Sequence, residues 1–240
     1  MQSWNLDLED GVALLTYCGP ADCVSLVAIT ELADTLEGFD AAGPTLVVLT
    51  GSEGRFIPDI DRDEFTRAFD YEPINGDQTS WARATTALES LPQPTVAAID
   101  GAASGGGCLL ALACTLRLGS ERATVGPVEP WLGLVGTESV KNLMRVAGPA
   151  VAAEMLLARS ELTASEAKLV GLLNRVLPTD GFPDHARDLC RQMADQPRER
   201  LFTIKATIAR HMCASCEELL AHEYRLAGCG CIDRSTELQR

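Results

Sequence analysis

The spacing of apolar residues changes period several times along the chain, and each change predicts a new element. Two short runs, Trp4 to Leu8 and Val12 to Tyr17, flank the turn-forming pair Asp10-Gly11 and predict a hairpin. Leu26, Ile29, Leu32, Ala33 and Leu36 then recur at helical spacing up to Gly38. Residues 45–50 (TLVVLT) and 95–99 (TVAAI) are unbroken β-rich runs, which suits strands covered on both faces of a sheet. A polar, helical stretch between them ends at Leu91-Pro92-Gln93-Pro94. Further on, 107–113 predicts a buried helix, 115–119 a strand, and 137–146 and 150–158 two helices parted by Gly148-Pro149. Thr163-Ala-Ser-Glu166 is a capping-box sequence that should start another short helix, and 172–177 predicts a strand. Beyond about Pro183 the pattern is helical only, near 183–195, 198–212 and 216–227. Strand and helix alternate up to about residue 180, which predicts an α/β core over 1–182 with a C-terminal helical appendage over 183–240.

At 240 residues and 46% hydrophobic content the chain can bury a full core. No apolar run reaches the ~18–20 residues of a membrane span, and the start, MQSWNLDLEDG, is acidic, so a soluble, cytoplasmic protein is expected. A formal charge of −14 and a pI of about 4.6 repel polyanions and argue against nucleic acid or an anionic membrane as partner. Nine cysteines without an export signal point to reduced thiols, and Cys108 and Cys114 sit in an apolar run as small hydrophobes. Cys213-x-x-Cys216 and Cys229-x-Cys231 together offer four thiolates to zinc. The first pair lies in a helical pattern and the second among glycines, so no metal is expected.

Chemistry concentrates after the second buried run. Asp100-Gly101 leads to Gly105, Gly106 and Gly107, which open a helix. N–H groups at a helix start are unpaired, and glycine lets a ligand approach them closely, so the turn can hold a negative oxygen. A phosphate loop would need a Gly-Lys-Ser/Thr ending, and a dinucleotide site Gly-x-Gly-x-x-Gly spacing; neither is present. A glycine turn serving only close helix–strand packing is the alternative.

The run PTVAAIDGAASGGGCLLALAC resembles the crotonase (enoyl-CoA hydratase/isomerase) signature. VVLTGSEGRFIPDID, ATVGPVEPWLG, RVAG at 145–148 and the stretch 153–178 are similar to further segments of that family, in the same order. The resemblance implies a crotonase-like ββα spiral core and an acyl thioester substrate, carried by coenzyme A or an acyl carrier protein, with no cofactor beyond that carrier. It also implies a homotrimer or hexamer.

In the family two backbone N–H groups hold the thioester oxygen, and the matching positions here are Ile60 and Gly106, with Gly105 and Asp61 beside them. The family's flexible Ala-Gly is Pro58-Asp59, which stiffens the loop and brings a charge near the thioester. Hydratases of the family use two glutamates. Here the first position is Leu109, and Glu129 fills the second, which implies a single carboxylate moving one proton between carbons, the chemistry of the family's isomerases. Glu138 lies in a stretch where relatives place variable catalytic groups, although at a helix start it would also complement the dipole. Trp131 is expected to wall the acyl pocket. The segment that helps hold the nucleotide in the family is Gly19 to Val24 here, with Cys23 in it and the basic residue replaced, so Arg55, Arg62 and Lys141 are candidate phosphate partners. Thioester decarboxylation, weak hydration and acyl-thioester binding without catalysis are the alternatives.

Overall fold

The computed structural model describes residues 3–61, 63–64, 80–126 and 137–213, with the backbone alone at 137–139 and 211–213. The first hairpin pairs β1 (Trp4–Glu9) with β2 (Val12–Tyr17) from Trp4↔Tyr17 to Glu9↔Val12. Its turn places Asp10 and Gly11 at φ 51° and 75°, the mirror-type geometry that matches strand twist. Trp4 and Tyr17 meet edge to face at 5.2 Å. The Trp4 indole also donates to the Ala28 carbonyl at 2.7 Å, which fastens α1 (Leu26–Glu37) to the hairpin. Ser25 caps α1, and of the predicted stripe Ile29, Leu32, Ala33 and Leu36 are fully buried while Leu26, at the start of the helix, is half-buried against the core.

A six-stranded sheet runs β1-β2-β3-β4-β6-β9, parallel from β2 onward. Its further members are β3 (Leu46–Gly51), β4 (Thr95–Ile99), β6 (Leu116–Ser120) and β9 (Arg175–Leu177). Every residue of β4 is buried because both faces are covered. Ala97 and Ile99 join the core shared with α1, α2 (Ser80–Ser90) and α3 (Gly105–Ala113). Val96 and Ala98 pack with Val48 against Phe182, Ala186 and Cys190 of a later helix, α6 (Phe182–Ala194). The expected division between residues 182 and 183 falls at the start of that helix.

Two further expectations hold in detail. Helix α4 (Thr137–Leu157) is broken at Gly148, φ 80° and ψ 169°, into the two predicted pieces. Thr163 and Glu166 form the reciprocal capping box at the head of α5 (Ala164–Leu169). Strand β9, however, is shorter than 172–177. Leu172 and Leu173 are fully buried, and the Leu172 carbonyl accepts from the Arg117 guanidinium at 2.7 Å, so this stretch is held by a buried cation rather than by a strand ladder. A small sheet, β5 (Ala102–Ala103), β7 (Thr124–Val125) and β8 (Leu162–Thr163), was not anticipated, since two-residue strands leave no periodic signal. The last described helix, α7 (Arg198–Cys213), is anchored by Lys205, whose ammonium donates to the Leu88 and Gln93 carbonyls at 3.0 and 2.8 Å.

The expected helix near 216–227 and Cys216, Cys229 and Cys231 lie outside the described residues. Among the described residues no helix is long and apolar enough to cross a membrane, and no group of three or more His, Cys, Asp or Glu could hold a metal.

Burial pushes the thiols of Cys108, Cys114 and Cys190 from the ordinary 9.0 up to about 12. A raised folded-state pKa means that the unfolded chain loses its protons first. The stability these thiols contribute is therefore complete below pH 9 and is lost as pH rises toward 12, at up to about 1.4 kcal/mol per pH unit for each. Lys205, lowered by burial to about 8, acts in the opposite sense between pH 8 and 10.5. Urea unfolding of the parent and of a Cys108/Cys114/Cys190→Ala variant should show a flatter alkaline decline in the variant; parallel profiles would refute the assignment.

Candidate active site

Two loops that leave the same edge of the sheet build the site. Strand β4 is followed by Asp100, whose carboxylate takes two hydrogen bonds of 2.8 Å from Arg122 and fixes the exit of the chain. Ser104 occupies the N-cap of α3 in extended conformation but makes no side-chain cap bond, so the first N–H groups of the helix are left for another acceptor. Glycine is required here by contact as well as by freedom. A Cβ on Gly107 would lie 2.0 Å from the Ile57 carbonyl oxygen, and Gly105 has φ 49°.

The partner loop follows β3. Phe56 and Ile57 are buried, and the next residues pair with Val24 as one rung of parallel sheet. Val24 N–H donates to Asp59 O at 2.8 Å, and Asp61 N–H donates to Val24 O at 3.0 Å. In a parallel rung the middle residue presents its own N–H to the opposite side. The Ile60 N–H thus turns toward the glycine turn, where it and the Gly106 N–H meet at one point. Both donate to the same atom, Asp59 Oδ1, at 2.8 and 2.7 Å. A Cβ on Gly105 would sit 1.8 Å from that oxygen, while one on Gly106 would meet Trp81 Cη2 at 2.5 Å and Ile60 Cγ1 at 2.8 Å. Trp81 and Ile60 form the apolar side of this hole.

The structure therefore brings Ile60, Gly105 and Gly106 together. Leu109, one turn further along α3, is partly buried against the core. Cys23 and Asp61 also meet, with the thiol 3.6 Å from Asp61 Oδ2. Burial first, then the charges of Asp22 and Asp61, push that thiol up to about 11, so it is no nucleophile at neutral pH. Glu129 and Trp131 lie outside the described residues, as does the side chain of Glu138, whose backbone is in the first turn of α4. Of the candidate phosphate partners, Arg55 pairs with Glu53 at 2.9 Å and Lys141 with Glu89 at 3.1 Å; Arg62 is outside the described residues. A cavity of about 280 Å³ beneath α6 is lined by Val12, Leu14, Val48, Ala98 and Phe182, residues of the other face of the sheet. Sequence reasoning missed two members of the site. Asp59 was visible as a charge beside the hole but not as its occupant, and Trp81 carried no signal beyond being an aromatic on a helix.

Residues 7–228 match the family model for enoyl-CoA hydratase/isomerase. The chain is 30% identical over 225 residues to the 2,3-dehydroadipyl-CoA hydratase of Escherichia coli, covering 91% of this chain and 86% of that protein. It is 32% identical over 200 residues to the fatty acid oxidation complex subunit alpha of Psychrobacter cryohalolentis, 77% of this chain but only 27% of that longer protein. A solved structure of a monofunctional enoyl CoA isomerase from M. smegmatis superposes with a TM-score of 0.75 at 26% identity, covering 92% of this chain and 99% of that one.

If the glycine turn must touch the Ile57 loop, Gly107→Ala should lower stability by about 2 kcal/mol or more through a backbone collision. Gly38→Ala, at φ −75° with the Asp34 and Thr35 carbonyl oxygens 3.4 Å from the added Cβ, should change it by less than about 1 kcal/mol in either direction. Denaturant midpoints of the two variants against the parent make the comparison, and equal shifts would contradict the packing described.

Proposed function

The chain belongs to the enoyl-CoA hydratase/isomerase family, and from that premise we propose that it binds an acyl thioester with its carbonyl oxygen between the Ile60 and Gly106 amides. The observation that carries this reading is the convergence of those two N–H groups, at 2.8 and 2.7 Å, on one oxygen atom. Two preorganised donors aimed at an oxygen that becomes negative stabilise an enolate by about 3 kcal/mol each. Deprotonation beside the thioester carbonyl then becomes accessible to an ordinary carboxylate.

In the proposed reaction Glu129 takes a proton from the α or γ carbon of an enoyl thioester, the electrons pass into the enolate, and the proton returns at the conjugate position. The result is a shifted double bond with no net gain of atoms. Leu109 supports isomerisation over hydration, because water addition needs a second polar group to place and deprotonate the water. Gly105 and Asp61 would frame the hole, Leu109 and Trp131 the acyl pocket and Cys23 its entrance, with Glu138 as a second acid within reach. Asp22, Asp61 and Glu64 surround Cys23 and disfavour phosphate there, which supports a carrier held elsewhere, either CoA or the pantetheine arm of an acyl carrier protein. A cytoplasmic homotrimer or hexamer is the assembly we propose.

Decarboxylation is the second reading. The same hole would stabilise the same enolate after loss of CO₂ from a carboxylated acyl thioester, and the apolar, partly buried Leu109 favours desolvation of a carboxylate.

Incubation with enoyl, α-carboxyacyl (malonyl-type) and saturated acyl thioesters separates double-bond shift, CO₂ release and binding without turnover. Glu129→Gln should lose at least about 100-fold in turnover, the lower range for removing a general base, while thioester affinity stays within a few-fold. Undiminished turnover would eliminate the mechanism.

Leu109→Glu should bring a carboxylate one turn from Gly106, since residues three apart share a helix face. Measurable hydration, followed as loss of enoyl absorbance, is expected from the folded variant at some loss of stability. A variant that binds crotonyl-CoA yet hydrates it no faster than the parent would show that residue 109 does not face the substrate.

A further inference from the structure

The hole proposed to receive a thioester is already occupied, by an oxygen of the chain itself. We propose that the Asp59 carboxylate is its resident occupant, which every ligand oxygen must displace before it can bind; this rests on the thioester reading above and deepens it.

Three features support residence over chance proximity. Asp59 Oδ1 accepts from both hole amides, Ile60 at 2.8 Å and Gly106 at 2.7 Å. The backbone of Asp59 is held by Val24, so a ligand can enter only by turning the side chain out, not by moving the loop. Gly105 leaves the space the carboxylate fills, since a Cβ there would lie 1.8 Å from Oδ1 and 2.5 Å from Oδ2. A carboxylate oxygen and an enolate oxygen bear comparable negative charge, and charge-assisted bonds to N–H are stronger than those to a neutral carbonyl. A neutral thioester therefore gains less from the hole than the carboxylate loses on leaving it, but the carboxylate must leave for any ligand, so its displacement lowers the affinity of neutral and anionic ligands by the same factor.

The test uses the full chain labelled with ¹⁵N at its 20 glycines. In the parent the Gly106 amide proton should resonate downfield and ignore added acetate. In Asp59→Ala it should move upfield, and acetate should return it downfield along a saturable curve. Butyryl-CoA should bind Asp59→Ala at least tenfold more tightly than the parent, and acetoacetyl-CoA should gain by a comparable factor. Where Asp59→Ala does not fold, Asp59→Asn keeps the shape, removes the charge and carries the same comparison. An unmoved Gly106 resonance in the variant, or identical acetate responses in the two proteins, overturns the occupancy. Equal or weaker butyryl-CoA binding by a variant that does bind acetate overturns the competition. Failure of both thioesters to bind either protein, with the acetate response as expected, sinks the thioester reading and leaves Asp59 in the hole.

Discussion

Two backbone N–H groups must be kept out of secondary structure and pointed at one place, and much of the fold serves that requirement. Gly106 has a spare N–H because the first turn of any α-helix does, and Ser104 declines to cap it. Ile60 has one because a single parallel rung with Val24 engages the residues on either side and leaves the middle N–H facing outward. The two groups are 46 positions apart in sequence yet meet, since β3 and β4 are adjacent and parallel with Thr50 opposite Ala98. Loops that follow neighbouring parallel strands leave from the same edge of the sheet, where ligands bind in open α/β sheets.

Close approach is the second condition. The 57–60 loop lies directly on the glycine turn, with no room for a Cβ at Gly107 and only a carboxylate in the space beside Gly105. Contacts of this kind make the turn a rigid part of the core rather than a surface loop, since Ile57, Ile60 and Trp81 belong to the same buried cluster as Cys108 and Leu110. Rigidity has a direct value for an anion site. Donors that are already fixed need no reorientation when charge develops on a bound oxygen.

The parts of this arrangement legible in the sequence are those that leave a period or a punctuation mark. The stripe of α1, the all-buried β4, the Gly148 break and the Thr163–Glu166 box each depend on residues close together in the chain, and each formed where expected. Long-range side-chain choices left no such mark. Arg117 takes the Leu172 carbonyl across 55 residues and shortens β9, and Asp59 reaches Gly106 across 47. Trp81 was hidden for the same reason, because only the packed structure sets its ring edge beside Gly106. The glycine turn and the Pro58-Asp59 departure were visible from the sequence, but their mutual contact was not. The acid assigned to proton transfer, Glu129, is known here from its motif alone.

A resident carboxylate changes what the hole can accomplish without changing its geometry. Any ligand oxygen that enters must first displace two charge-assisted hydrogen bonds, and that displacement is complete before chemistry begins. It therefore weighs equally on the bound substrate and on the transition state reached from it. An effect of that kind lowers kcat/KM for every substrate while leaving kcat to be set by the proton transfer. Selectivity then comes from whatever the rest of the ligand contributes, chiefly the contact of its acyl chain with the apolar side formed by Trp81 and Ile60. A thioester whose oxygen is already anionic regains in the hole what Asp59 gives up. A neutral one regains it only as the enolate forms. On this account the side chain at position 59, rather than the two amides, is where this chain differs physically from a hole that stands open.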